Sequence, residues 1–205
     1  MKKLLAVCII GLTLGTAAFA DHPDGWGIGI VGGFGGIGWG YGSGGGGAFG
    51  LSLKAPMLPV FWSLSLGINT WGSSSYIGFG LTGDYYIFDK VLYEPAKLHW
   101  FLGVGGFFNF QSWSEEYLKY KASWMYFDFG VRVPIGISWQ PLDFLEVFLN
   151  AAPSLGLGIQ TDQEMEYEGV KRKGDELKGW GGYRKGGVHF PSGGIGFEIG
   201  LRFWI

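Results

Sequence analysis

The 205-residue sequence contains a single cysteine, Cys8, close to its start. A fold held together by disulfide bridges is therefore excluded, as is a zinc site built from several cysteines. Charged residues make up only 16% of the chain, and the three histidines, His22, His99 and His189, are scattered. This composition favours no nucleic-acid partner, metal cluster or cofactor.

The first twenty residues have the composition of a cleaved signal peptide. An apolar run from Leu4 to Leu14 follows two lysines and precedes Ala18-Phe19-Ala20, which supplies the small-x-small cleavage site. We therefore expect residues 1–20 to be removed and residues 21–205 to form one exported domain. Of the 15 Lys and Arg residues, removal of Lys2 and Lys3 leaves 13 against 17 Asp and Glu, a net charge of −4.

Residues 25–53 carry no charge, which could suggest a membrane-spanning helix. However, 15 of the 26 residues from 25 to 50 are glycine. Each glycine disfavours a helix by roughly 1 kcal/mol relative to alanine. The segment is therefore predicted to be extended.

Large apolar residues recur at every second position along much of the chain. Val60, Trp62, Leu64, Leu66 and Ile68 alternate with mostly small or polar residues. The same alternation runs from 125 to 137, where Asp128 and Arg132 lie on the opposite face. A strand that is apolar on one face and charged on the other fits a wall between lipid and a polar lumen.

This periodicity predicts an all-β fold, an eight-stranded antiparallel up-and-down transmembrane β-barrel. The strands are expected at about 25–36, 47–54, 60–70, 76–88, 98–110, 124–138, 144–160 and 188–205. If both termini are periplasmic, the short connections 55–59, 89–97 and 139–143 are periplasmic too. The connections 37–46, 71–75, 111–123 and 161–187 then face outward.

Aromatic residues fall near both ends of the predicted strands, as interfacial girdles do. The periplasmic girdle comprises Trp26, Trp62, Tyr85, Trp100, Trp139 and Phe203. The outer band comprises Trp71, Tyr76, Trp113, Trp124 and Phe190. A soluble β-sandwich is the rival interpretation, but its water-facing sides would carry unusually few charges.

The predicted lumen carries polar and charged residues that should pair with one another or meet water. They are Asp84, Asn109, Asp128, Arg132, Glu146, Asn150, Glu198 and Arg202. A salt bridge is expected between Glu146 and Arg202, which lie near the periplasmic ends of neighbouring strands. These residues form either a structural plug or the lining of a gated ion path.

The chain resembles the small eight-stranded outer-membrane barrels, namely the outer-membrane protein A transmembrane domain and the outer-membrane protein X and W families. The segment 200–205, Gly-Leu-Arg-Phe-Trp-Ile, resembles the terminal signal that the barrel-assembly machinery reads, although it ends in Ile instead of Phe. Similar glycine-rich barrels occur in spirochaetes. The resemblance implies residence in the outer-membrane lipid of a Gram-negative cell.

Three functions remain open at this stage. The first is a non-enzymatic structural or adhesive protein whose charged loop 161–187 binds a host or matrix protein, or lipid headgroups. The second is a narrow conduit for ions or small hydrophobic molecules, as implied by the resemblance to the outer-membrane protein W family. The third is a lipid-modifying enzyme, for which His189 and Ser192 are the candidate residues.

Overall fold

The computed structural model describes residues 25–39, 47–71, 74–117, 120–167, 169–173 and 185–205. The predicted signal peptide and His22 lie outside this part of the chain. Eleven β-strands are present in it: β1 Gly27–Trp39, β2 Gly47–Lys54, β3 Phe61–Trp71, β4 Ser74–Tyr93, β5 Leu98–Tyr117, β6 Tyr120–Arg132, β7 Ile135–Leu142, β8 Leu145–Gln160, β9 Glu164–Tyr167, β10 Val170–Lys173 and β11 Gly187–Trp204. No described helix is long and apolar enough to cross a membrane.

The strands pair in a closed, antiparallel ring. Each of β1 to β5 pairs with its neighbours in sequence, and β5 pairs with both β6 and β7. Both of these strands also pair with β8, which pairs with β11, and β11 returns to β1. Following the ladders from β1 therefore leads back to β1, and the predicted all-β up-and-down fold is confirmed.

Strands β6 and β7 are two halves of one predicted strand. Arg132 lies opposite Gly105, and Ile135 lies opposite Leu102, so the register on β5 is the same on both sides of the break. Pro134 has no N–H to donate, which interrupts the ladder without shifting it. With this pair counted as one strand and β9 and β10 set aside, the described ring has the eight predicted strands.

The two ends of the ring differ. At the terminal end, where the Trp26 N–H donates to the carbonyl of Ile205 at 2.9 Å, short connections join β2 to β3, β4 to β5 and β7 to β8. The β4–β5 connection is a 3₁₀ turn over Glu94–Ala96. The longer connection from β8 to β11 lies at the opposite, distal end.

The prediction that 111–123 and 161–187 are outer connections without strands is wrong in part. Strand β5 continues to Tyr117 and β6 begins at Tyr120, so most of 111–123 is a long hairpin. Within 161–187, β9 and β10 form a second hairpin, and β9 pairs with β6 from Tyr120 to Ser123. Backbone pairing outweighs the polar composition of these segments because a hairpin satisfies the N–H and C=O groups of both.

The alternation of side chains agrees with the sequence. Large apolar residues on the outer face are exposed in strand after strand, including Leu66, Phe79, Val131 and Leu149. On the inner face, charged residues such as Asp84, Arg132 and Arg202 are buried. This arrangement is the reverse of a soluble protein, in which charged residues are almost never fully buried unless paired.

A β-bulge in β4 redirects the strand near the terminal end. Ile87 and Phe88 are both exposed beside the register shift between Tyr86 and Phe88. The shift turns Asp89, which the sequence placed in a connection, into the barrel interior. Bulges re-aim side chains in this way because one extra residue reverses the alternation.

Candidate functional site: the polar interior of the barrel

The interior contains all the charged residues that the sequence placed in the lumen. The structure buries Asp84, Asp128, Arg132, Glu146 and Arg202, and half-buries Glu198. They form two ion-paired groups and one separate carboxylate. The groups differ in their height above the terminal end.

The first group is built around Arg202, near the terminal end. Arg202 on β11 lies directly opposite Glu146 on β8, and Nη1 donates to Oε2 of Glu146 at 2.7 Å. The Trp204 indole donates to the same oxygen at 3.0 Å. The structure thus brings together the pair for which the sequence predicts a salt bridge, and it adds a second donor that sequence reasoning missed.

Arg202 also reaches across the first strand. Its Nη2 and Nε donate to the hydroxyl of Ser52 on β2 at 3.0 and 3.3 Å, although β1 lies between β2 and β11. Its guanidinium carbon lies 4.6 Å from the ring centroids of both Phe61 and Phe148. A buried guanidinium is stabilised by such cation–π contacts together with its ion pair. We call Arg202, Glu146, Ser52 and Trp204 the basal cluster.

Aromatic rings complete the packing beside the basal cluster. Phe61, Tyr86 and Phe101 form a continuous stack with centroid spacings of 4.2 and 4.3 Å. Trp204 meets Phe61 edge-on. Each of these rings alternates along its strand with exposed apolar residues, so the sequence pattern could have placed it on the inner face. The pattern could not have predicted that the rings stack.

The second group is built around Arg132, further from the terminal end. Its Nη1 donates to Oε1 of Glu198 at 2.7 Å, and its Nε lies 3.2 Å from Oδ1 of Asp84. The Asn150 amide donates to the other oxygen of Glu198 at 3.0 Å. One cation therefore faces two carboxylates from different strands.

Asp128 stands apart from both groups. The Ser192 hydroxyl donates to Asp128 at 3.3 Å and lies 2.9 Å from the Tyr126 hydroxyl. Among the described residues, no salt bridge includes Asp128. Ser192, a candidate catalytic residue from sequence, is fully buried and engaged by these two side chains, while His189 is half-buried on β11.

The sequence analysis did not predict a further buried pair, formed by His99 and Asp89. His99 Nδ1 lies 3.6 Å from Oδ1 of Asp89, and both residues are buried. The β4 bulge produces this pair by turning Asp89 inward. Because the sequence shows no sign of the bulge, His99 could be assigned to the inner face but its partner could not.

A chamber lies inside the ring of strands at the level of Arg132. Its volume is about 220 Å³. Its wall combines small and polar side chains and one ion pair with the apolar side chains of Val31, Phe107 and Phe197. The polar and charged residues include Ser63, Ser65, Thr82, Asn109, Arg132 and Glu198.

The aromatic residues at the terminal end lie on the outer face. Trp26, Trp62, Trp100, Trp139 and Phe203 are exposed, and Tyr85 is half-buried. The distal band differs from the prediction. Phe190 is exposed, but Trp124 is buried and stacks on Trp113, which stacks on Tyr76. These three rings lie on the inner face because each alternates with outward residues, whereas the Trp71 side chain is outside the described part.

The comparisons with known proteins identify a family. A family model described as "Protein of unknown function (DUF3996)" matches residues 48–177, more than half of the chain. The chain belongs to this family. The matched range extends from β2 past β10 and includes Arg132 and Glu146, but not Arg202 of the basal cluster.

The chain was also compared with curated protein sequences and with solved structures. Curated protein sequences give no significant match. Among solved structures, this chain is similar to a major outer membrane protein from Thermus thermophilus, with 14% identity and a TM-score of 0.48 over 88% of this chain and 99% of the other.

Among the described residues, no group of three or more His, Cys, Asp or Glu side chains could hold a metal ion.

Proposed function

We propose that this chain is an integral outer-membrane β-barrel protein that anchors its distal segments at the cell surface. The observation that carries the proposal is the inverted distribution of polarity around a closed ring. Buried charged side chains lie in the interior beside stacked aromatic rings, and large apolar side chains cover the exterior. A soluble monomer does not expose so continuous an apolar surface.

The closed ring meets the main requirement of the hydrocarbon region. Every backbone N–H and C=O group in lipid must be bonded within the protein, because each unpaired group costs several kcal/mol. The aromatic residues at the terminal end fit an interfacial girdle. Barrels of this kind have short periplasmic turns and longer extracellular connections. The short connections at the terminal end therefore favour a periplasmic position for that end, with the β5–β6 and β9–β10 hairpins extending outward.

The basal cluster supports an anchoring role over a transport role. It fills the lumen at the terminal end with a paired arginine and stacked rings. The interaction surface would then lie on the distal hairpins, where a host or matrix protein is the proposed partner. The end of β11, with exposed Phe203, together with the exposed Ile205 that follows it, is the proposed recognition element for the barrel-assembly machinery.

The test is folding in lipid. We expect the chain without residues 1–20 to fold only in detergent or lipid vesicles and to migrate differently on gels before and after heating. A monodisperse, folded protein in plain buffer would contradict the membrane proposal. Loss of binding to matrix proteins on removal of β9 and β10, with folding unchanged, would support the adhesive role.

A narrow conduit is the second candidate. The chamber of about 220 Å³ favours it, because it shows that the lumen is not packed along its whole length. Its wall combines polar side chains and the Arg132–Glu198 ion pair with apolar side chains such as Phe107 and Phe197, so it can contact ions and small hydrophobic molecules alike. Recording conductance in planar bilayers tests this candidate, and stable single-channel steps from the unmodified protein would favour it over a pure anchor.

A further inference from the structure

The charged lining of the chamber is balanced. Among the described residues, its charged wall side chains are Arg132 and Glu198, and Nη1 of Arg132 donates to Oε1 of Glu198 at 2.7 Å. A fully charged ligand would find no unpaired counter-charge in this wall, and burying an unpaired charge is costly. An anion would in addition lie beside the Glu198 carboxylate. The chamber is therefore suited to a neutral molecule.

Arg132 brings a hydrogen-bond donor with no protein acceptor to this wall. Its Nη1 is bonded to Glu198 and its Nε lies 3.2 Å from Asp84, but its Nη2 has no hydrogen-bond partner in the described part of the chain. Arg132 is only 6% exposed, and buried polar groups are rarely left unsatisfied. A guanidinium donates and cannot accept, so the missing partner is an acceptor atom.

The rest of the wall also fits a small bound molecule. Thr82 Oγ1 is buried and has no hydrogen-bond partner within the described ranges. A Cβ built on Gly196 would meet no atom within 4 Å beyond its chain neighbours, so this glycine faces open space. Phe107 and Phe197 supply apolar surface. A few polar groups set among apolar and aromatic side chains are typical of small-molecule sites.

We propose that the chamber binds a small neutral molecule that carries a carbonyl or hydroxyl oxygen beside an apolar part. The oxygen accepts a hydrogen bond from Arg132 Nη2, and the apolar part contacts Phe107 and Phe197. A chamber of about 220 Å³ holds the volume of about seven waters, which limits the ligand to roughly ten non-hydrogen atoms. This proposal adds a ligand to the proposed membrane anchor, and it rests on that barrel being folded in lipid.

The experiment compares three fluorinated probes of similar shape and different charge. At neutral pH, para-fluorobenzamide is neutral and has a carbonyl oxygen, para-fluorobenzoate is an anion, and para-fluorobenzamidine is a cation. Each probe is titrated with the barrel in lipid nanodiscs, and its affinity is measured from the broadening of its fluorine NMR line. Empty nanodiscs correct for partition of the probe into lipid.

We expect para-fluorobenzamide to bind at least about 10-fold more tightly than either charged probe, because the wall offers a charged probe no counter-charge. Arg132→Lys keeps a positive charge beside Glu198 but removes the planar set of donors, so it should weaken binding of the amide severalfold. Gly196→Phe fills the open space and should abolish binding. Gly187→Phe, at the exposed distal start of the same strand, is the matched control and should leave binding unchanged.

Three results would each overturn the proposal: no broadening beyond that in empty nanodiscs, tighter binding of a charged probe, or unchanged binding of the amide to folded Arg132→Lys or Gly196→Phe. The ranking of the three probes on the unmodified protein decides the matter even where a variant fails to fold. Absence of a gel shift on heating the unmodified protein would instead overturn the membrane barrel itself.

Discussion

At the scale of single residues, the basal cluster makes the sharpest prediction. Replacing either Glu146 or Arg202 by Gln leaves the other charge buried, which should lower the free energy of unfolding by about 3 to 5 kcal/mol. The double variant should recover part of this loss because no unpaired charge remains. Urea unfolding in lipid vesicles measures the four corners of the cycle. Strictly additive losses would show that the pair contributes no coupling energy.

Ser52 supplies the matched comparison at the same cluster. Ser52→Ala removes a hydroxyl that Arg202 bonds across β1 but leaves both charges in place. The expected loss of unfolding free energy is therefore only about 1 kcal/mol, or roughly twice that if the guanidinium finds no other acceptor. A loss as large as that of Arg202→Gln would mean that Ser52, and not the ion pair, dominates the cluster.

The sequence predicts much of this detail, because register follows from alternation. Glu146 and Arg202 both point inward and lie at similar heights on neighbouring strands. Residues in that arrangement are adjacent in a paired sheet, so their contact follows from the register. Asp128 shows the limit of that reasoning. It shares the same parity, yet Ser192 approaches it only because the β8–β11 register shifts between His189 and Ser192. A local bulge leaves no periodic trace in the sequence.

At the scale of elements, the β9–β10 hairpin should respond to acid. Lys173 donates to Glu164 at 2.7 Å and lowers the pKa of Glu164 below its ordinary value of 4.5. Since the folded pKa is the lower one, the stabilisation is present above pH 4.5 and lost as pH falls through the folded pKa. Protection of β10 amides from hydrogen exchange, corrected for intrinsic rates, should decline in that window.

Glu164→Gln is the control for this hairpin. It removes the titrating partner of Lys173 but leaves the Glu166–Lys171 pair, whose charged atoms lie 3.9 Å apart. The decline in protection should then be smaller than in the unmodified protein. An unchanged decline would assign the acid response to another group.

The outward face of the strands makes a second prediction at the element scale. Val131 and Val188 are both exposed on the outer face, but Val131 lies near the middle of the wall and Val188 near the distal end. Val131→Arg should destabilise the lipid-inserted state by about 2 to 4 kcal/mol and Val188→Arg by about 1 kcal/mol or less. Urea titration in vesicles compares the two. Equal losses would contradict the assigned depth.

Strand lengths were the weaker part of the sequence prediction at this scale. Strand β2 has the predicted bounds, 47–54, because the tight reversal after Lys54 leaves little freedom. The β5–β6 hairpin exceeds its prediction because Gln111 to Ser123 is polar, and polarity was interpreted as a loop. Beyond the apolar part of the outer surface, however, a strand can carry polar side chains on both faces while its backbone remains paired.

At the scale of the whole molecule, the fold depends on closing β1 against β11. Here the backbones approach so closely that a Cβ on Gly29 would lie 1.8 Å from the carbonyl oxygen of Leu201 and 2.7 Å from Cα of Arg202. On the same strand, a Cβ on Gly32 would meet only the carbonyl oxygen of Ile199, at 4.0 Å. The pairing of β1 with β11 thus has room for a side chain at Gly32 but not at Gly29.

Gly29→Ala should therefore impair closure of the barrel, whereas Gly32→Ala should fold normally. Backbone atoms cannot rotate away as a side chain can, so the expected loss for Gly29→Ala is about 3 kcal/mol, at the upper end of overpacking effects. The measurement is the fraction of protein that shows the unheated gel shift after folding into vesicles, followed by urea unfolding. If both variants fold equally well, the backbones of β1 and β11 can separate enough at Gly29 to accept a methyl group, and the close approach there does not control closure.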